Sequence, residues 1–134
     1  MPRDDELEAL VRRVIDLGFG LHRDLGPGLL ESAYELILFE KLRQQGIDVR
    51  RQVPICVNYD GIFIENAFKV DLLVEDRLVV ELKSAERALP VHGKQVLTYL
   101  RLMNLPLGLL INFGQTLFKD GIKRITNAYD AGPG

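Results

Sequence analysis

Asp71, Glu81 and Lys83 are residue types that can carry out phosphodiester chemistry, and all three fall in one short segment, KVDLLVEDRLVVELK, residues 69–83. Mg²⁺ is typically held by one or two carboxylates and keeps several waters. A bound metal lowers the pKa of its water and neutralises charge on a phosphate. A nearby ammonium can hold the attacking water or stabilise the transition state. The three side chains therefore suggest a metal-dependent hydrolytic site, provided that the fold brings them together.

The same segment predicts a β-hairpin that would bring them together. Strand side chains alternate between the two faces of a sheet, and one face of this hairpin is entirely aliphatic: Val70, Leu72, Val74, Leu78, Val80 and Leu82. Both strands share that face only if they pair about Asp76, because a one-residue slip would turn one strand over. This register places Asp71 opposite Glu81, with Lys83 two residues further along the same face.

An exposed strand face with a cross-strand salt bridge is the alternative interpretation. Like charges directly opposite each other destabilise a strand pair unless a cation or a proton relieves them. In addition, Leu73 and Val79 share the charged face, so water would not fully solvate it. Both features favour a metal site, with Mg²⁺ or Mn²⁺ as the cation.

Glu31 is a further candidate acid. It falls in the first turn of a predicted helix, with Tyr34 and Glu35 on the same face at i+3 and i+4. A glutamate near a helix N-terminus is also favoured by the helix dipole without any function. The residues alone leave both interpretations open.

His92, Gln95 and Tyr99 form a stripe at i, i+3 and i+7 along a later predicted helix. That helix directly follows the strand carrying Glu81 and Lys83, so we expect it to pack beside them. Gln95 would then position water, the lysine or a phosphate, while Tyr99 would hydrogen-bond a phosphate or brace the site. A polar helix face with a half-buried tyrosine explains the same spacing.

The composition is that of an intracellular globular domain. A chain of 134 residues can build its own core, and 47% hydrophobic with 27% charged residues is ordinary for such a domain. The single cysteine, Cys56, excludes an internal disulfide. The sequence has no membrane-spanning stretch and no signal peptide, so we expect a cytoplasmic protein with no membrane partner. Two histidines and one cysteine do not supply a zinc site, and the sequence has no P-loop and no dinucleotide-binding glycine pattern.

Charge is distributed unevenly along the chain. The net charge is −2, yet residues 83–127 hold seven basic and two acidic residues. A surface of this kind can face phosphates. An ordinary solvated, dipolar surface has the same composition, and charge alone does not separate the two.

Hydrophobic periodicity and chain-breaking residues predict an α/β domain with a mixed β-sheet flanked by helices. We predict helices over residues 5–23, 29–45 and 90–103, and strands over 49–59 and 62–66, in the 69–83 hairpin, and over 107–113 and 121–127. The order is α-α-β-β-β-β-α-β-β, with Asp60-Gly61 as a hairpin turn and Gly46 as a helix stop. Residues 1–134 are predicted to form one domain, with a core from about 5 to 127 and a loose tail over 128–134.

Several segments together resemble a known family. Gly28-Leu-Leu-Glu31-Ser-Ala-Tyr34 matches the G-x-x-E-x-x-Y signature of the bacterial GxxExxY proteins, which are grouped with the PD-(D/E)XK nuclease superfamily. The resemblance covers about residues 10–127. Its segments are LHRDLGPGLLESAYE, VDLLVEDRLVVELKS, LPVHGKQVLTYLRL, LGLLINFG and KDGIKRITN. It implies a restriction-endonuclease-like fold.

The resemblance also implies roles for individual residues. Asp71 would be the first metal-binding acid, Glu81 and Lys83 the E-x-K pair, and Glu31 an additional acid from the N-terminal region. Gln95 and Tyr99 look like the Q-x-x-x-Y element of some branches of the superfamily. Val70 stands where many members have proline.

On this basis we expect a nuclease that depends on Mg²⁺ or Mn²⁺ and acts on nucleic acid, DNA more than RNA. Asp71, Glu81 and the main-chain carbonyl of Leu82 would bind the metal. Lys83 would activate water, and Glu31 would hold a second metal or orient a hydrated one. A homodimer is expected, because a small domain needs a second copy to hold a duplex. The alternative is a non-catalytic module of the same fold that binds nucleic acid or a protein.

Overall fold

The structure, a computed structural model, describes residues 3–129. Within these residues, three helices and five strands follow one another, with one 3₁₀ turn over Phe118–Gly121. In chain order they are α1 (Asp5–Leu25), α2 (Glu31–Gln44), β1 (Val49–Tyr59), β2 (Ile62–Val74), β3 (Leu78–Lys83), α3 (Pro90–Met103), β4 (Leu107–Asn112) and β5 (Ile122–Thr126).

The five strands form one mixed sheet in the order β1-β2-β3-β4-β5. Only β3 and β4 pair in parallel, and α3 is the crossover between them; the other neighbours are antiparallel. The predicted α/β fold with a mixed sheet flanked by helices is confirmed.

The prediction of four strands before the third helix was wrong, because there are three. The predicted strand 62–66 and the first strand of the 69–83 hairpin form the single strand β2, which pairs with β1 along its length. The register shifts between Ile55 and Val57 of β1, and Asn66 opposite this region has a φ of 50°. A bulge of this kind absorbs extra residues while pairing continues on either side.

Two hydrophobic cores lie on opposite faces of the sheet. The larger contains α1 and α2 side chains, among them Leu7, Val14 and Leu38, and the smaller contains Val96 and Leu100 of α3. Most of the aliphatic face predicted for the hairpin lies in the larger core: Leu72, Val74, Leu78, Val80 and Leu82.

Val70 is the exception to the predicted aliphatic face, because it packs in the α3 core. The change of face accompanies an irregularity in β1. Val49 and Val53 have the same parity and yet lie in different cores, and Gln52 between them has a φ of 51°. A left-handed residue inside a strand interrupts the alternation of its side chains. Asp71 lies directly beside this irregularity.

The chain continues to pack beyond the predicted core boundary at residue 127. Tyr129 is buried, and its hydroxyl donates a hydrogen bond of 2.7 Å to Glu8 of α1. Glu8 also accepts two hydrogen bonds from Arg124 of β5. The core therefore extends to Tyr129, and residues 130–134 of the predicted tail lie outside the described residues.

No helix within residues 3–129 is both long and apolar enough to cross a membrane.

Gly18 and Gly20 of α1 offer a test of this packing. A Cβ at Gly18 would lie 2.8 Å from Cζ of the buried Phe118, whereas a Cβ at Gly20 would meet only the end of Arg23 at 3.8 Å. We expect Gly20→Ala to raise the free energy of unfolding by about 0.5–1 kcal/mol, because glycine weakens a helix by that amount. Gly18→Ala should lower it by about 1–3 kcal/mol through overpacking. Urea denaturation of both variants measures the contrast, and equal effects would contradict the close approach of Phe118.

Candidate active site

The strands β2 and β3 pair in the predicted register and then separate. Leu72 pairs with Val80 and Val74 with Leu78, so Asp71 and Glu81 come next, at the point where the pairing stops. Beyond this point β2 continues along β1, while β3 continues along β4. Asp71 and Glu81 therefore occupy the fork between two diverging strands.

Carboxylates replace the missing backbone ladder at this fork. The main-chain N–H of Asp71 donates to Oε1 of Glu81 at 3.0 Å, and the N–H of Leu82 donates to Oδ2 of Asp71 at 2.8 Å. A backbone N–H that is buried without a partner is costly, so the fork needs acceptors here. The two hydrogen bonds hold both acidic side chains at the same place.

The two carboxylates repel each other. Burial of Glu81, which is 8% exposed, raises the pKa of its carboxyl first, and the charge of Asp71 raises it further, to about 8. The hydrogen bond from the Asp71 N–H and the charge of Lys83 oppose this rise without cancelling it. A cation between the two acids would relieve the repulsion.

Lys83, half-buried at the end of β3, completes the predicted trio. Its main-chain carbonyl accepts a hydrogen bond of 2.8 Å from Phe113, which follows β4. Successive carbonyls of a strand point to opposite sides, so the carbonyl of Leu82 points away from β4 and towards Asp71. This orientation fits the predicted part of Leu82 as a main-chain ligand.

Glu31 is the first residue of α2 and lines an open cavity of about 340 Å³ together with Asp71, Glu35 and Gln52. Partial desolvation raises the pKa of Glu31; the charge of Lys83 opposes the rise and that of Asp71 adds to it. The structure thus brings the predicted additional acid to the same site as the β2–β3 fork.

Tyr34 fixes the turn that leads into α2. Its hydroxyl donates to the carbonyl of Gly26 and accepts from the N–H of Leu29 at 3.2 Å. Its ring is fully buried and stacks on Phe113 at 4.3 Å. The Ser84 hydroxyl donates to the carbonyl of Leu29 at 2.7 Å. Tyr34 therefore sets where α2 begins, and with it the place of Glu31.

The stripe predicted on α3 divides into two parts. Tyr99 stacks on Phe68 of β2 at 4.1 Å, and its pKa is raised by burial and then by the charges of Glu81 and Asp71. Burial and the charge of Lys83 lower the pKa of His92. Gln95 is exposed and makes no side-chain hydrogen bond within residues 3–129. The structure brings Tyr99 and His92 towards the trio, and places Gln95 at the rim of a neighbouring cavity.

Two residues near Asp71 were not predicted. Glu35 is buried and accepts hydrogen bonds from Gln52 at 2.5 Å and from Arg51 at 3.3 Å. The same Nε2 atom of Gln52 lies 3.3 Å from Oδ1 of Asp71. The i+4 spacing from Glu31 places Glu35 on the same helix face and could have predicted its position near the site. No sequence pattern indicates that Gln52 lies near Asp71.

A divalent cation fits the donor set at the fork. Residues 3–129 contain no cluster of three or more His, Cys, Asp or Glu side chains arranged to hold a metal. Mg²⁺, however, commonly takes one or two carboxylates and keeps waters in its other positions. Asp71, Glu81 and the Leu82 carbonyl supply such a set, and the repulsion between the two acids is the feature that a cation would relieve.

Comparison with known proteins decides the family. A family model described as the PD-(D/E)XK nuclease superfamily matches residues 8–125. The chain belongs to the PD-(D/E)XK nuclease superfamily. The mixed five-stranded sheet flanked by three helices is consistent with the restriction-endonuclease-like fold that the sequence predicted. Membership in the superfamily suggests nuclease activity and a nucleic-acid substrate. No match was found among curated proteins or among solved structures.

Tyr34→Phe tests the structural part assigned to that tyrosine. The variant keeps the stacked ring and removes both hydrogen bonds of the hydroxyl, so we expect a loss of about 1–3 kcal/mol in the free energy of unfolding. Tyr59→Phe is the matched control, because Tyr59 is 69% exposed, and it should change stability by less than about 0.5 kcal/mol. Urea denaturation compares them, and equal stabilities would contradict the assignment.

Glu81→Gln tests the electrostatic conflict at the fork. A carboxyl whose pKa is raised by folding stabilises the folded state while it is protonated, and this stabilisation is lost as pH rises from below 4.5 through about 8. Without divalent metal, the melting temperature of Glu81→Gln minus that of the wild type should therefore increase steadily across this pH range. Glu65→Gln, at an exposed position of β2, is the control. A difference independent of pH would contradict the raised pKa.

Proposed function

We propose that this protein is a divalent-metal-dependent nuclease that hydrolyses phosphodiester bonds. The observation that carries the proposal is the pair of carboxylates, Asp71 and Glu81, held at one point by main-chain hydrogen bonds beside Lys83. A strand fork needs hydrogen-bond acceptors but not two mutually repelling acids, and neutral side chains would meet that need at lower electrostatic cost. Membership in the superfamily supports the same conclusion.

Mg²⁺ or Mn²⁺ is the proposed cofactor, and DNA rather than RNA the proposed substrate. The acidic pair and the Leu82 carbonyl are oxygen ligands, which suit both of these metals. DNA is preferred because the resemblance is to enzymes of the restriction-endonuclease type. Within the superfamily we assign the chain to the bacterial GxxExxY proteins, on Gly28, Glu31 and Tyr34.

Each residue of the site has a part in this reaction. Asp71, Glu81 and the Leu82 carbonyl would hold the metal, and Glu31, which lines the same cavity as Asp71, would bind a second ion or orient a hydrated one. When bound there, a divalent metal would supply an activated water and would neutralise charge on the phosphate. Lys83 orients the attacking water with its ammonium and offsets negative charge in the transition state.

Tyr99 and Gln95 have less direct parts. Tyr99 braces the site through its stack on Phe68. Gln95 is exposed, so it would act only by contacting bound substrate.

The second candidate is a nuclease-fold module that binds nucleic acid or protein without cutting. The observation in its favour is that residues 3–129 contain no preformed cluster of three or more metal-ligating side chains. A homodimer is part of either proposal, and light scattering of the full chain measures it directly.

Metal titration by calorimetry, run beside a plasmid-nicking assay, tests the proposed activity. The wild type should bind Mg²⁺ or Mn²⁺ and nick plasmid DNA. Asp71→Ala and Glu81→Ala should each reduce nicking roughly 100-fold or more, because metal catalysis contributes several kcal/mol to the transition state. Lys83→Ala should abolish nicking and still bind metal.

Glu65→Ala provides the matched control, since it removes an exposed carboxylate from the same strand as Asp71. It should retain both metal binding and nicking. Full activity in the Asp71 or Glu81 variant would overturn the site. A folded wild type that binds DNA without any metal-dependent cutting would support the non-catalytic module instead.

A further inference from the structure

Lys83 also lines a second cavity, which is separate from the cavity that Asp71 and Glu31 line. Its volume is about 260 Å³, and it opens between β3, the start of α3 and the segment that leads into β5. Its polar lining consists of Lys83, His92, Asn112, Asp120 and Lys123, and its apolar lining includes Leu89, Pro90, Leu110 and Ile122.

Most of the ionisable side chains that line this cavity are basic. Lys83, His92 and Lys123 all reach it, whereas Asp120 is the one acidic residue among those that line it. Within residues 3–129, none of the three basic side chains forms an ion pair. Burial lowers the pKa of His92 first, and the charge of the neighbouring Lys83 lowers it further. Two lysines and one histidine thus share the cavity with a single acidic residue.

The position of Lys123 depends on Gly93. A Cβ at Gly93 would lie only 3.2 Å from Nζ of Lys123, so the ammonium rests against the first turns of α3 in the space that a side chain would fill. The first turn of α3 contains no acidic residue. An ammonium at this end of a helix is unfavourable on its own, and a bound anion would remove the conflict.

The side chain of Asn112 lines the cavity and is held in place by three hydrogen bonds. Its side chain accepts hydrogen bonds from the N–H groups of Ala85 and Gly114 and donates one to the carbonyl of Ala85. These bonds hold the connection after β3 against the end of β4. The basic side chains therefore surround a cavity whose walls are set by the fold.

We propose that this cavity binds a phosphate group of the nucleic-acid strand, next to the phosphate that is cut, with Lys83 between the two. The proposal rests on the proposed nuclease function and adds a substrate subsite to it. Lys123 and His92 contact the phosphate, and the apolar residues that line the cavity pack against the attached sugar. The phosphate is either an internal one or the terminal phosphate of the strand, since the chemistry of recognition is the same.

Inorganic phosphate, titrated into the metal-free full chain at constant ionic strength, is the first probe. Amide NMR signals of His92, Gly93 and Lys123 should shift and saturate. Lys123→Gln should weaken this binding roughly tenfold, as expected for one charged hydrogen bond. Asp120→Asn should strengthen it by removing the acid. Lys119→Gln is the matched control, because Lys119 is exposed on the preceding 3₁₀ turn and does not line the cavity.

Gly93→Ala tests whether the position of the Lys123 ammonium matters separately from its charge. Its methyl group would push the Lys123 ammonium away by a few tenths of an ångström while leaving the charge in place, and alanine favours the helix over glycine, so the variant should fold. Phosphate binding should fall in this variant as well. Shifts that are spread over the surface, or that are equal in the wild type and Lys123→Gln, would mean an adventitious ion only and would overturn the subsite.

DNA in the presence of Ca²⁺ or EDTA is the second probe and identifies the source of the phosphate. A preference for a 5′-phosphorylated strand over a 5′-hydroxyl strand, lost in Lys123→Gln, assigns a terminal phosphate. An equal loss of affinity for circular DNA assigns an internal one. Unchanged affinity of Lys123→Gln for every form of DNA would overturn the subsite.

The two proposals fail separately. A wild type that binds phosphate at His92, Gly93 and Lys123 without any metal-dependent cutting retains the cavity and loses the nuclease. Metal-dependent cutting with no phosphate binding at these residues retains the nuclease and loses the cavity.

Discussion

The divergence of β2 from β3 is the constraint on which the rest of the site depends. β2 is long because it follows β1 along its whole length, whereas it pairs with β3 over only three residues. Main-chain groups beyond the last pair need partners inside the protein, and the carboxylates of Asp71 and Glu81 provide them. The same hydrogen bonds that complete the sheet therefore force two acids together in a place that burial makes unfavourable for charge.

The helices that cover the larger core place the start of α2 close to this fork. Tyr34, stacked on Phe113 inside that core, ties the turn before α2 through its hydroxyl, and Ser84 ties the same turn to the end of β3. Glu31 consequently begins α2 at the edge of the cavity that Asp71 lines. The two side chains of the Gly28–Tyr34 segment therefore differ in their contacts. Glu31 lines the cavity, and Tyr34 holds the backbone turn from which α2 begins.

The alternation of aliphatic residues along the strands predicted the strand register. It did not predict the bulge in β2 or the side-chain contacts that form only when distant segments pack together. Aliphatic residues at every second position were enough to set the register that pairs Leu72 with Val80 and brings Asp71 to Glu81. The predicted strand ended at Asn66, whereas in the structure Asn66 is left-handed and lies at a bulge within β2, on either side of which the pairing with β1 continues. Gln52 could not be found, since its contact with Asp71 follows from its own left-handed backbone in β1.

Lys83 interacts with ionisable groups of two cavities, one lined by three acidic side chains and the other by mostly basic ones. On one side Glu31, Glu35 and Asp71 line a cavity, and the pKa values of both glutamates are raised chiefly by desolvation, with Asp71 adding to each rise. On the other side His92 and Lys123 line a cavity with a single acid. If stability alone determined the arrangement, these acidic and basic side chains would form ion pairs with each other, because separated charges gain little and paired ones gain more. Lys83 interacts with both sets and neutralises neither. If the protein acts as we propose, a cation bound on the acidic side and a phosphate bound on the basic side would together balance these groups.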